Sequence, residues 1–349
     1  MLDDLAYIHR VDKADTLGIA EKEPEQLLHN FASDFSAGPV ANVVYAAMGG
    51  SALAAALSQT WPGYRVPFEI VRGYDLPNYV SSATLCVVAS NSGNTEEALS
   101  SLAQAEQKEA QIVVITSGGK LLEIAREKNY PLYVIPQVKQ PRYGVFYNLK
   151  ALVEVSSVYG VSADQNITSL SEAVPFLREK ARSWGPSTPI KDNRAKQIAL
   201  DSLGKSVVIY AGPKMAPAAY KWKISFNENA KQIAWTGTYP EFNHNEFIGW
   251  SEQPVNKPYQ VIDLRSSFEH PRVLQRFALS ERLLSGRRPA PEVVNAEGAN
   301  ILQQLLYCVL LGDFVTLYSA IATGINPEPV ELVEKFKDLL KSGEQSSKG

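Results

Sequence analysis

Cysteine is nearly absent from this sequence, with only Cys86 and Cys308 in 349 residues. Both lie in apolar runs, Leu85-Cys86-Val87-Val88 and Leu306-Tyr307-Cys308-Val309. They read as core thiols, not as a disulfide framework or a zinc site. Histidine is sparse as well, at four. No His, Cys, Asp or Glu cluster has the spacing of metal ligands, and His244-Asn245-Glu246 is too close-set for a helical HExxH arrangement. No long block of one charge sign occurs: 34 basic residues face 37 acidic ones, for a net charge of −3. That balance argues against nucleic acid or an acidic membrane surface as partner, while still allowing a local anion site. Met1-Leu2-Asp3-Asp4 lacks the basic and apolar regions of a signal peptide. The apolar stretches read as too short and interrupted to cross a bilayer. The expectation is a cytoplasmic protein with no metal and no other cofactor.

What is present is apolar and punctuated. The chain is 45% hydrophobic, ample for buried cores, and its length suggests about two domains. Apolar, strand-like runs at 42–46, 68–72, 84–89, 111–116 and 132–135 alternate with helical patterns at 51–60, 95–108 and 120–128. Such alternation predicts a parallel sheet wrapped by helices, since each parallel crossover usually takes a helix. The runs are rich in Val and Ile and do not alternate with polar residues, as in strands buried on both faces. A polar seam follows near 160–167. The pattern then restarts: 207–211 reads as a strand and 215–229 as a helix, echoing 43–50 and the helix after it. A strand at 259–264, a helix at 271–285 and a helical C-terminal third at 293–322 and 329–341 complete the reading. The residues from Gly343 look like a disordered tail. The predicted division is 1–160 and 161–349, two α/β units with a helical C-terminal region.

Ligands of open α/β sheets bind beyond the carboxyl ends of the strands, and two such ends carry unusual chemistry. In Met48-Gly49-Gly50-Ser51, Gly49 and Gly50 let the backbone turn sharply and approach a ligand, and Ser51 opens a helix whose free N–H groups favour an anion. In Ser90-Asn91-Ser92-Gly93-Asn94-Thr95-Glu96-Glu97, three hydroxyls surround a glycine between a strand and a helix start. Ordinary helix capping explains Thr95. It does not explain Ser90 and Ser92. Hydroxyls and backbone N–H groups together can hold phosphate oxygens without a lysine or a metal. The Gly-Gly pair is not a dinucleotide fingerprint, because it lacks the third glycine and the later acidic residue.

The serine-rich loop looks like the phosphate loop of sugar isomerase (SIS) domains, and Met48-Gly49-Gly50-Ser51 resembles that family's other substrate-facing loop. Two motifs in the second half narrow the chemistry: Asn227-Glu228-Asn229-Ala230-Lys231 and Asn243-His244-Asn245-Glu246. An aldose–ketose isomerase needs a base that shuttles a proton between C1 and C2, suited to a carboxylate in a nonpolar pocket. It also needs a ring-opening group, suited to histidine, and a cation beside the enediolate. Both motifs resemble those of the bifunctional phosphoglucose/phosphomannose isomerase family, which has two SIS domains in one chain. The resemblance runs from about Gly49 to Lys337.

It implies Glu228 as the shuttling base, His244 as the ring opener and Arg142, in Pro141-Arg142, as the cation. Lys337 would assist at the ring, with Lys335 and Lys341 as neighbouring alternatives. The phosphate would fall to Gly49, Gly50, Ser51, Ser90, Ser92 and Thr95. The substrate would be a hexose phosphate: glucose 6-phosphate, with mannose 6-phosphate as second aldose, exchanging with fructose 6-phosphate and no metal. A homodimer is also implied, with His244 reaching the partner's site. Asn326 and Glu328 depart from the family pattern, where Asp and Thr are expected. The competing readings are an aminosugar-phosphate enzyme, a phosphosugar-binding regulator and a family member that binds without turnover.

Overall fold

The protein is described by a computed structural model covering residues 1–32, 35–252 and 258–346, with side chains through residue 340. Two short helices, α1 (Leu5–Val11) and α2 (Thr16–Lys22), and a 3-10 segment (Glu23–Leu28) lead into the first unit. That unit comprises β1 (Asn42–Ala47), α3 (Gly49–Ser58), β2 (Phe68–Val71), β3 (Thr84–Ser90), α4 (Glu96–Gln107), β4 (Gln111–Thr116), α5 (Gly119–Glu127) and β5 (Leu132–Val134). Helices α6 (Val145–Val158), α7 (Gln165–Ser183) and α8 (Arg194–Ser202) come next. The second unit comprises β6 (Ser206–Ala211), α9 (Ala216–Glu228), β7 (Ala234–Thr238), α10 (Glu246–Gly249), β8 (Tyr259–Arg265), α11 (Pro271–Leu283) and β9 (Glu292–Asn295). Helices α12 (Ile301–Ala322) and α13 (Glu331–Ser346) end it.

Every named strand pair is parallel, in the orders β2-β1-β3-β4-β5 and β7-β6-β8-β9. This is the doubly parallel, helix-flanked α/β architecture expected from the alternating pattern. Register fixes where the site forms. Ala47 lies opposite Ala89 and Ser90 opposite Thr116, so the loops after β1, β3 and β4 emerge side by side at one sheet edge. All seven residues of β3 are buried, as its unbroken apolar run requires of a central strand.

The main core joins both units around α12. This helix is apolar on every face and packs against α7, α8 and α9. It is long and apolar enough to cross a membrane, contrary to the reading that no stretch was, but its apolar window is entirely buried inside the protein. Close approach of α12 and α9 depends on Gly312, where a Cβ atom would lie 2.3 Å from the Trp222 indole. The indole nitrogen of Trp222 in turn donates to the Cys308 carbonyl at 2.6 Å. Both cysteines are buried, and burial pushes the Cys86 thiol up to about 12 and raises Cys308 as well.

Three expectations change. The helical reading at 293–322 splits into edge strand β9 and helix α12, because the four residues Glu292–Asn295 pair with β8. Edge strand β7 is absent from the expected strands, because its glycine and exposed residues mask its extended form. Helix α13 continues to Ser346, past the start of the supposed tail, and residues 347–349 of that tail lie outside the described residues.

Candidate active site

The serine loop is organised by its own hydroxyls. Ser90 Oγ lies 2.7 Å from Thr95 Oγ1 and 3.5 Å from Ser92 Oγ. The Gly93 N–H donates to Ser90 Oγ at 3.2 Å, and the Asn94 N–H to Ser92 Oγ at 3.3 Å. Thr95 is the cap residue of α4, yet its hydroxyl makes no cap bond and turns to Ser90. The plain capping explanation therefore does not describe what this side chain does. A third loop supports the arrangement. Ser117 N–H donates to the Asn91 carbonyl, Leu121 N–H to the Gly93 carbonyl and Lys120 N–H to Asn94 Oδ1. Gly93 is obligatory here: its φ is +67° and a Cβ would fall 1.7 Å from the Gly118 carbonyl oxygen. Sequence reasoning passed over this third loop, although Thr116-Ser117-Gly118-Gly119 also follows a buried strand.

The glycine loop links the serine loop to Arg142. Ser51, buried at the start of α3, accepts the Asn91 N–H through its hydroxyl at 3.2 Å. Gly50 faces the other way, and a Cβ there would sit 2.9 Å from the Pro141 carbonyl oxygen and 3.1 Å from the Arg142 nitrogen. Gly49 makes the turn at φ +49°.

Arg142 is 1% exposed and surrounded by acceptors. Its Nε donates to Asn229 Oδ1 at 2.7 Å, and Nη1 donates to Glu228 Oε2 at 3.0 Å. Its Nη2 donates to the carbonyls of Pro327 at 3.1 Å and Glu328 at 2.7 Å. These acceptors lie on separated segments, so a planar, five-donor guanidinium fits where a lysine would not. Glu228 ends α9 with its side chain 37% exposed. The expectation of a nonpolar pocket around it is thus replaced by an ion pair on one side and an opening on the other. A cavity of about 850 Å³ adjoins it, lined also by Lys231, Trp235, Asn326 and Val330.

Behind Arg142 lies a buried polar stripe that sequence reasoning missed. Asn229 Nδ2 donates to Thr316 Oγ1 at 3.0 Å, and Ser225 Oγ donates to Asp313 Oδ1 at 2.8 Å. Lys221 and Asp313 form an ion pair with both side chains at most 1% exposed. Burial, reinforced by the Asp313 carboxylate, raises the Glu23 carboxyl well above its ordinary value. The available signal was spacing: Lys221, Ser225 and Asn229 recur every four residues along α9 and its cap, and Asp313 and Thr316 are three apart within the apolar helix α12. Lys231 binds the same C-terminal turn as Arg142, donating to the carbonyls of Glu228 at 2.8 Å and Pro327 at 2.9 Å. Burial, then the Arg142 charge, pulls it down to about 8. Of the two departures, Glu328 meets Arg142 through its carbonyl, whereas the Asn326 carbonyl accepts from Lys231 at 3.3 Å and Asn326 Oδ1 accepts the Glu328 N–H.

The structure brings Glu228 and Arg142 together and connects them to the loops at Gly50 and Ser90. Two expected residues stand outside this hydrogen-bonded group. His244 is exposed on a 3-10 segment (Glu241–His244), and Lys337 is exposed on α13. Among the described residues, no hydrogen bond joins either to Arg142, Glu228 or the serine loop. Nor do three His, Cys, Asp or Glu side chains among those residues gather as a metal site.

The profile of the bacterial phospho-glucose isomerase C-terminal SIS domain matches residues 191–340. A bifunctional phosphoglucose/phosphomannose isomerase of Aquifex aeolicus (strain VF5) is 32% identical, over 87% of this chain and 91% of its own. The chain belongs to the bifunctional phosphoglucose/phosphomannose isomerase family. A relative with a different name, the D-glucosamine-6-phosphate 4-epimerase of Sulfolobus acidocaldarius, is 34% identical over 57% of this chain and 65% of its own. Among solved structures, a glucose-6-phosphate isomerase like protein from Thermus thermophilus superposes with a TM-score of 0.66 at 20% identity, covering 97% of this chain and 98% of that one. At that identity the likeness concerns the fold. Family membership gives the SIS architecture and the isomerase class.

Proposed function

We propose that the protein interconverts glucose 6-phosphate, and mannose 6-phosphate, with fructose 6-phosphate through a cis-enediolate, without a metal. The observation that carries this reading is the Arg142–Glu228 pair, 3.0 Å apart, linked through Gly50 to the serine loop. Ser90, Ser92 and Thr95, with backbone N–H groups at the starts of α3 and α4, hold the phosphate. Only Oε2 of Glu228 is bonded to Arg142, so Oε1 is available to take the C2 proton and return it to C1. Of the five guanidinium protons, one goes to Asn229, two to the carbonyls at 327 and 328 and one to Glu228. The remaining Nη1 proton is the donor for the enediolate oxygen.

His244 opens the sugar ring from the partner subunit of a homodimer, a reading its exposure supports. Lys337, on the exposed helix α13, assists there. Dilution that separates the dimer should abolish specific activity; unchanged activity in the monomer would refute the shared site. The test of the function itself is conversion of glucose and mannose 6-phosphates to fructose 6-phosphate by purified protein with a chelator present. Glucosamine 6-phosphate belongs in the same panel, because one relative is named for that sugar. Turnover of the aminosugar alone would replace the hexose reading, and binding without turnover would support a regulator.

A further inference from the structure

The second sheet repeats the strand order of the first: β7-β6-β8-β9 matches β2-β1-β3-β4. The turn between β6 and α9 is therefore the counterpart of the glycine loop, and the loop between β8 and α11 that of the serine loop. In the first unit this place is edged by hydroxyls. In the second it is filled from within. Glu269, 5% exposed, accepts the Lys214 N–H through Oε1 at 2.7 Å. A Cβ on Gly212 would lie 2.4 Å from that carboxyl group, so the missing side chain makes the room it occupies. The two serines beside it are engaged as well. Ser266 Oγ donates to Gln304 Oε1 at 2.6 Å, and Ser267 Oγ accepts from Gln304 Nε2 at 2.8 Å.

We propose that Glu269 is an internal anion that takes, in the second unit, the place phosphate takes in the first, and that it is a positioning residue for α9. That helix is about 20 Å long and carries Glu228 at its far end. Burial raises the Glu269 carboxyl, while the N–H groups of Lys214 and Met215 and the Lys214 charge pull it the other way. The N–H groups of the turn that leads into α9, at Lys214 and Met215, stand to Glu269 as those of the glycine loop would stand to a bound phosphate. Phosphosugar then binds to one unit only, and the other is held closed by its own carboxylate.

The test is anion rescue. Glu269→Ala should lower the melting temperature by several degrees and kcat several-fold, with KM nearly unchanged. Added acetate should restore both saturably. It should do neither for wild type nor for Val294→Ala, a control destabilised in the same sheet. Failure of acetate to rescue, or wild-type melting and kcat in Glu269→Ala, would overturn the proposal. If Glu269→Ala does not fold, Glu269→Gln decides: reduced kcat at unchanged KM is expected, and wild-type values would overturn it. The kcat readout rests on the isomerase reading, whereas the thermal readout does not. Thermal rescue in a protein without isomerase activity would refute the function and leave the role of Glu269 standing.

Discussion

Arg142 and Glu228, 86 positions apart in the chain, meet at 3.0 Å with the arginine buried and the carboxylate open to solvent on its other side. This asymmetry suits a base that must be oriented and still reach a substrate. Glu228→Gln keeps a hydrogen-bond acceptor for Arg142 but cannot take a proton. We expect kcat for fructose 6-phosphate formation to fall at least about a hundredfold, with the thermal midpoint nearly unchanged.

Arg142→Lys should affect both activity and stability. One ammonium cannot reach Asn229, Glu228 and the carbonyls at 327 and 328 together, so buried acceptors lose their donor. The expected destabilisation is about 2 kcal/mol or more, read by urea unfolding, together with a loss of kcat exceeding any change in KM.

Gly93→Ala tests the phosphate loop independently of the base. The left-handed backbone and the Gly118 carbonyl leave no space for a methyl group. Destabilisation on the order of 2 kcal/mol is expected. KM for the sugar phosphate should rise, and binding of inorganic phosphate as a competitor should weaken in parallel.

Glu23 gives a pH dependence whose sign is fixed. Its folded carboxyl is held above the ordinary 4.5 by burial and by Asp313. The unfolded chain therefore ionises first as pH rises. Glu23 thus contributes stability that is complete below about 4.5 and is lost as pH climbs through the raised folded value. Glu23→Gln does not titrate, so its stability relative to wild type should increase from roughly pH 5 to pH 8. Urea unfolding of both proteins across that range checks it, and a constant difference would contradict the account.

Gly312→Ala probes the helix contact on which the shared core depends. The added Cβ would overlap the Trp222 indole, and overpacking of this kind costs about 1–3 kcal/mol. The thermal midpoint should drop, with the Trp222 fluorescence environment altered.

Much of the fold was legible because its central strands are Val- and Ile-rich runs that no helix pattern mimics. The expected bounds for β1, β3 and β4 lie within a residue of those observed. Edge strands were the weak point. β7 contains Gly237 and half-exposed polar residues, and β9 is four residues long and runs toward the apolar helix α12. The serine and glycine loops stood out because hydroxyls and glycines cluster at strand ends. The stripe from Lys221 to Asn229, facing Asp313 and Thr316, did not, because helices dominated by apolar residues hide the few polar positions that pair only in three dimensions. The hold of Arg142 and Lys231 on the turn at 326–328 is likewise tertiary: it joins backbone carbonyls, which carry no residue identity to read.

The proposed reaction turns on proton transfer by Glu228 between C2 and C1 of a hexose 6-phosphate. Its most direct test is turnover of glucose 6-phosphate in D2O with chelator, with the sugar followed by NMR. Wild type should form fructose 6-phosphate and exchange solvent deuterium into the C1 and C2 positions, while Glu228→Gln should do neither on the same timescale. Equal conversion and exchange in Glu228→Gln, or none in wild type, would contradict it.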